Sequence, residues 1–196
     1  KRTNGVSVTT YTVNTLNQVT NDTSYTYGYD DNGNRTSRNS TDTLTYTYDD
    51  ENQLVRIETD TSYTEESSRW RTDFVYDGRM RLRKSVGYIW YYGGWEAMGG
   101  ETRYLYDGMR VIQERDNNNT PKVSYTRGND LSGSLEGAGG IGGLLARSYQ
   151  YSGGNCGTNA FYHADGNGNV TILMDSAGNL KASYRYDPFG RTTYSS

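Results

Sequence analysis

Cys156 and His163 stand seven positions apart, and each is alone of its kind among 196 residues. A thiol and an imidazole held within hydrogen-bond reach would make a nucleophile and its base. No orienting third group accompanies them in the sequence. His163 also sits two positions before Asp165 in a turn-forming string, where it would cap a turn or stack in a sheet. The chain therefore reads as having no catalytic residues and no enzymatic activity of its own. A lone cysteine excludes an internal disulfide, and one cysteine with one histidine cannot complete a tetrahedral zinc site.

Aspartate-rich strings are the next candidates. Asp30-Asp31-Asn32-Gly33-Asn34, Asp116-Asn117-Asn118-Asn119 and Asp165-Gly166-Asn167-Gly168-Asn169 open like calcium loops. An EF-hand loop needs a bidentate glutamate at its twelfth position; counted from Asp30, that position is Thr41. Turn capping suits these aspartates better, so neither metal nor cofactor is expected. The glycines from Gly133 to Gly143 lack the Gly-Lys-Ser/Thr of a phosphate loop. In the run Tyr88 to Trp95, exposed Trp90, Tyr92 and Trp95 would form a ligand platform for sugars or a protein partner. The favoured alternative is a hairpin turning at Gly93-Gly94 with its rings packed in the sheet.

The elements that position these residues come from a repeat. Tyr27-Gly28-Tyr29-Asp30 leads to Gly33, Tyr46-Thr47-Tyr48-Asp49 to Asn52, and Tyr184-Arg185-Tyr186-Asp187-Pro188 to Gly190. Shorter matches end at Asp165 before Gly168 and at Asp175 before Gly178, and Tyr11 to Val19 is a degenerate first copy. Tyr-x-Tyr is a period-two strand with both rings on one face. Asp at the first position of a type I turn bonds its own backbone, and Gly or Asn three residues on accepts the left-handed conformation. Tyr76-Asp77-Gly78 and Tyr104-Leu105-Tyr106-Asp107-Gly108 read instead as two-residue type I′ hairpin turns. Each copy is then a hairpin that covers its neighbour. No helix is expected, because the Leu131 to Ala146 stretch is too rich in glycine.

Composition bounds the class. Only 33% of residues are hydrophobic, yet 20 are Tyr and 24 are Gly, which suits tyrosine-rich strands rather than disorder. A net charge of −3 with both signs interspersed leaves no basic footprint for nucleic acid. No apolar run is long enough for a membrane span. The polar start, Lys1 to Gly5, falls in mid-pattern and reads as a piece of something longer.

The ordered set of Tyr-x-Tyr-Asp-x-x-Gly-Asn/Gln-Arg/Leu strings resembles the YD repeat of the RHS/YD-repeat proteins. Tyr162 to Asp165 through Tyr184 to Arg191 is similar to the opening of the RHS-repeat-associated core, and Arg127 to Gly133 with Gly140 to Ala146 is similar to the segment before it. The resemblance implies an exported or cell-surface protein whose repeats wind a β-sheet into a shell, around an effector in bacterial toxins and for adhesion in teneurins. It also implies an autoproteolytic aspartate further on. Asp187-Pro188-x-Gly190 matches part of that motif, but Arg191 stands where leucine is usual, and a proline turn explains the same residues.

The expectation is an all-β, curved or spiralling array of antiparallel β-hairpins. Residues 1–130 form one hairpin array, 131–146 a glycine-rich packed connector, and 147–196 further repeats leading into the core. The expected role is a non-catalytic shell segment of a larger extracellular or cell-surface protein that encloses or presents a C-terminal effector. The alternative is an adhesion module binding carbohydrate or a cell surface. Expected partners are neighbouring repeats or other copies through open sheet edges, the enclosed effector and carbohydrate, with no nucleic acid.

Overall fold

The computed structural model describes residues 2–4, 7–41, 43–62 and 65–196, so Lys1 and Gly5 of the polar start lie outside it. The chain divides into two compact units, 1–101 and 102–196.

In the first unit β1 (Arg2–Asn4) pairs with β2 (Ser7–Thr9). The strands that follow are β3 (Thr12–Val13), β4 (Val19–Asn21), β5 (Thr26–Tyr29), β6 (Arg35–Asn39) and β7 (Leu44–Tyr48). Then come β8 (Leu54–Thr59), β9 (Trp70–Tyr76) and β10 (Leu82–Tyr91). From β3 to β10 each strand pairs antiparallel with the next. Strand β11 (Gly94–Asp107) runs through the boundary between the units.

In the second unit the end of β11 pairs with β12 (Arg110–Arg115), followed by β13 (Pro121–Arg127), β14 (Leu144–Ser152) and β15 (Asn155–Ala164). β16 (Val170–Met174), β17 (Leu180–Tyr186) and β18 (Thr192–Ser195) complete the succession. Among the described residues the only helical element is a 3-10 turn, Glu66–Ser68. The all-β array of antiparallel hairpins read from the sequence is what forms.

The period-two strands sort side chains by face. Register links Tyr46 to Ile57, Ile57 to Thr72 and Thr72 to Gly87 on one face of the first unit. Thr47, Arg56, Asp73 and Val86 form the corresponding row on the other. There Arg56 Nε meets Asp73 Oδ1 at 2.7 Å and Arg71 meets Asp73 Oδ2 at 3.3 Å. Burial is sparse. The buried hydrophobic side chains among the described residues are Leu44, Val86, Ala146 and Ala160. Backbone ladders and same-face contacts between neighbouring strands therefore carry the sheet, as in other repeat arrays.

The glycine-rich segment is a loop over residues 128–143. Gly128 N–H donates to Gly143 O at 2.8 Å and Leu131 N–H to Ile141 O at 3.0 Å. It lies three residues earlier than the expected 131–146 connector, because β13 ends at Arg127, Leu144 to Ala146 already belong to β14, and Ala146 pairs with Thr126 and Phe161.

Candidate functional site

One turn recurs. At Asp30 the amide donates to Asn34 O at 2.9 Å and Gly33 N–H returns to Asp30 O at 3.1 Å. Asp30 Oδ1 accepts Asn32 N–H at 3.0 Å and Asn34 N–H at 2.8 Å. The same four bonds close the turns at Asp49, Asp77, Asp116, Asp165, Asp175 and Asp187. Asn14 makes them through its amide oxygen. The residue before each aspartate pairs with the residue six positions on, as Tyr29 with Arg35, Tyr48 with Leu54 and Tyr186 with Thr192, and a register shift follows each time. The fourth position of every turn is left-handed. Gly33, Gly168, Gly178 and Gly190 occupy it without a Cβ penalty, while Asn52, Met80 and Asn119 accept positive φ.

The residue that follows the left-handed position completes most of these turns, a role the turn pattern in the sequence does not announce. Asn34, Asn169 and Asn179 each donate Nδ2–H to the second carboxylate oxygen of their aspartate at 3.0 Å. Arg81 and Arg191 do so through Nε at 3.0 Å. These bonds favour the charged carboxylate. The Asn34 side chain lowers the Asp30 pKa, and the Arg81 side chain holds Asp77 at about 2. The carboxylates of Asp30, Asp77, Asp165, Asp175 and Asp187 thus have both oxygens bound by N–H donors of their own turns.

Two hairpins depart from the sequence reading. Asp77-Gly78 is not a two-residue type I′ turn. Met80 takes φ 61 and Tyr76 pairs with Leu82, so this is the same long turn as at Asp30. At Asp107 the loop is indeed two residues, since Asp107 pairs with Arg110. Only Gly108 has positive φ there, however, and a type I′ turn needs it at both central residues. Arg110 binds Asp107 Oδ2 at 2.7 Å, and Glu136 from the 128–143 loop accepts Met109 N–H and Arg110 Nε–H at 3.0 Å each. Within that loop Asp130 takes Ser132 Oγ–H, Ala138 N–H and Gly140 N–H, and the Ser132 bond leads in lowering its pKa to about 2.

Tyrosines tie neighbouring hairpins together through their tips. Tyr29 donates to Val19 O at 2.7 Å, Tyr76 to Leu54 O at 3.0 Å and Tyr186 to Val170 O at 2.8 Å. Each acceptor lies five residues beyond the first residue of an earlier turn. Tyr27 bonds Asp22 Oδ2 at 2.6 Å, and that carboxylate pushes the phenol up to about 12. Rings meet arginines more than one another. Arg35 lies over Tyr27 and Tyr46, and Arg147 over Tyr149.

In the aromatic hairpin the turn is Tyr92-Gly93, both with positive φ, one residue earlier than Gly93-Gly94. Trp90 and Trp95 pack edge to face with centroids 5.3 Å apart, and Arg71 lies over Trp95 and Tyr88. Tyr92 is 91% exposed. The three platform candidates are therefore not one flat row: the edge of one tryptophan meets the face of the other, and Tyr92 projects from the turn.

Cys156 and His163 share β15. Seven residues of strand separate them by about 23 Å and place them on opposite faces, so they form no dyad. Cys156 Sγ contacts Asn159 Oδ1 at 3.7 Å.

No family model matches the chain. It is similar to the tRNA3(Ser)-specific nuclease WapA of Bacillus spizizenii, 33% identical over 183 residues. It is also similar to tRNA nuclease WapA of Bacillus subtilis, 32% identical over 183 residues. Each match covers 92% of this chain, which spans about 6% of the length of these curated relatives. Among solved structures, the crystal structure of TcdB2-TccC3-TEV aligns over 88% of this chain and 9% of its own, with a TM-score of 0.46 and 15% identity. The relatives' names correct the expectation of a protein that is not an enzyme, because they are nucleases. The physical reason for the miss is that strands and capped turns encode a scaffold, which says nothing about the activity of a protein many times its length.

Proposed function

We propose that these residues are a stretch of repeat wall in a larger RHS/YD-repeat protein of exported or cell-surface type. The wall encloses or presents a C-terminal effector, and the effector of the whole protein is a nuclease acting on tRNA. The observation that carries this reading is the turn geometry. The same pairing of the residue before the turn with the residue six positions on recurs at Asn14, Asp30, Asp49, Asp77, Asp116, Asp165, Asp175 and Asp187. A unit repeated this way extends a sheet by addition, with each hairpin covering the last. The match to named tRNA nucleases over nearly all of this chain, but only a small share of theirs, supports a wall that belongs to a nuclease-bearing whole.

Electron cryomicroscopy of the full-length protein tests the wall. The hairpins of residues 1–196 are expected to line density for a C-terminal segment, and an open sheet with nothing enclosed or presented would overturn the reading. Incubation of tRNA with the full-length protein and with its isolated C-terminal segment tests the effector. Cleavage by the isolated segment supports it, and intact tRNA with both preparations overturns it.

A further inference from the structure

The Asp49 turn breaks the pattern of its siblings in one respect. Asn34, Arg81, Asn169, Asn179 and Arg191 all reach back to the second carboxylate oxygen of their own aspartate. Gln53, one methylene longer than asparagine, turns away and donates Nε2–H to Glu51 Oε2 at 2.6 Å. Asp49 Oδ2 is left without that side-chain donor. Gln53 is itself only 8% exposed, and its Oε1 is buried without a hydrogen-bond partner. The amide cannot be flipped to cure this, since a flip would set two oxygens against each other at Glu51. A buried acceptor with no donor is costly and calls for an occupant that carries N–H groups.

Space for one adjoins it. A cavity of about 360 Å³ is lined by Asp49, Glu51, Gln53, Phe74, Tyr76 and Asp77, among others. Asp49 and Glu51 bring carboxylates to the lining and Gln53 brings its unpartnered carbonyl oxygen, while Asp77 is already held by Arg81. Beside them the phenyl and phenol rings offer an apolar floor. The terminal torsion of glutamine is soft, so Oε1 can swing to an entering donor. A bare divalent ion would want six or more oxygens, which two aromatic rings do not provide. An alkyl chain ending in a cation suits both halves of the lining.

The Asp116 turn supplies an internal comparison. Its residue after the left-handed position is Thr120, which is too short to reach back as asparagine does. The cavity beside that turn, about 290 Å³, is lined by Lys122, six positions after Asp116. The residue six positions after Asp49 is Val55, which lines the first cavity. Where the chain carries its own lysine, a cation is already part of the lining, and at Asp49 it has to arrive from elsewhere.

We propose that the notch beside the Asp49 turn receives an arginine or lysine side chain of another polypeptide segment, with Gln53 Oε1, Glu51 and Asp49 Oδ2 accepting its N–H groups against Phe74 and Tyr76. The probe is N-acetyl-arginine amide, titrated into the nitrogen-15-labelled chain and followed at the backbone amides of the lining residues Glu51, Phe74 and Tyr76, amides that every variant keeps. N-acetyl-lysine amide is a second arm, and N-acetyl-leucine amide and calcium chloride are controls. The expected result is a saturable shift with the arginine or lysine probe and at least tenfold weaker response to leucine amide. Gln53→Asn should abolish the shift while keeping the fold, because asparagine restores the cap used by the sibling turns. Glu51→Gln should weaken binding at least threefold. Equal shifts with leucine amide, saturation with calcium alone, full binding by Gln53→Asn, or no shift with any probe would each overturn the proposal.

Discussion

Two stretches with the same opening letters close in different ways. Tyr76-Asp77-Gly78 in the first unit and Tyr106-Asp107-Gly108 in the second both follow a strand with Tyr or Phe two positions before the last ring. After Asp77 the chain makes the long turn, with Met80 left-handed and Arg81 on the carboxylate. After Asp107 it folds back within two residues, with Arg110 on the carboxylate and Glu136 holding the tip. The difference is where the arginine falls, four residues after the aspartate in one case and three in the other. A distant glutamate then seals the short form. A turn string therefore specifies a bend, and the residues beyond it choose which bend.

The largest expected effect lies at Gly168, where the second unit's loop meets a turn. A Cβ there would lie 2.5 Å from Ile141 Cγ2 and 3.1 Å from Gly142 N, at φ +81. Gly168→Ala should cost about 2–4 kcal/mol in chemical denaturation, combining left-handed strain with overpacking. Glycines in the two compared turns should respond with opposite signs. Gly108→Ala meets Glu136 Oε1 at 2.6 Å with φ +61 and should lose about 2 kcal/mol. Gly78→Ala has nothing within 4 Å and no left-handed requirement, and should gain about 0.4–1 kcal/mol. Equal effects at both glycines would erase the distinction.

A pH titration sharpens the same comparison. Asp77 titrates at about 2 in the folded chain, below the ordinary 3.8, chiefly because of Arg81. A lowered acid pKa contributes stability above the unfolded value and loses it as pH falls through the folded one. The contribution of Asp77 should be whole above pH 3.8 and fade as pH falls towards about 2. Asp77→Asn should make the acid-side slope in melting temperature shallower, leaving the part carried by Asp30 and Asp130, and an unchanged slope would show that Arg81 does not hold the carboxylate. The smallest effect is at Met80→Gly. Relief of its left-handed backbone outweighs the added chain entropy of glycine by about 0.5 kcal/mol.

The strands were legible because Tyr-x-Tyr alternates with period two, and Leu54–Thr59 forms as its pattern demands. Turns at Asp30, Asp49 and Asp187 were legible because their chemistry is local to five residues. The Asp107 closure was not, since Glu136 reaches it from 27 residues away along the chain. The cap after the left-handed position was missed because Asn, Gln and Arg there look like the start of the next strand. The Asp49 notch is visible only against siblings whose side chains reach back where Gln53 does not. The alternation shows which face the rings share but not what covers them: Arg35 lies over Tyr46, Arg38 over Tyr25 and Arg71 over Tyr88, each from a distant place in the sequence.

Amide hydrogen exchange along the whole chain tests the repeated turn most directly. The account predicts slow exchange at the aspartate and at the third and fourth residues after it in every long turn, Met80 and Arg81 included, with the same pattern at Asp30, Asp165 and Asp187. Fast exchange at Met80 and Arg81, with the Asp77 region behaving like the short hairpin at Asp107, would contradict it.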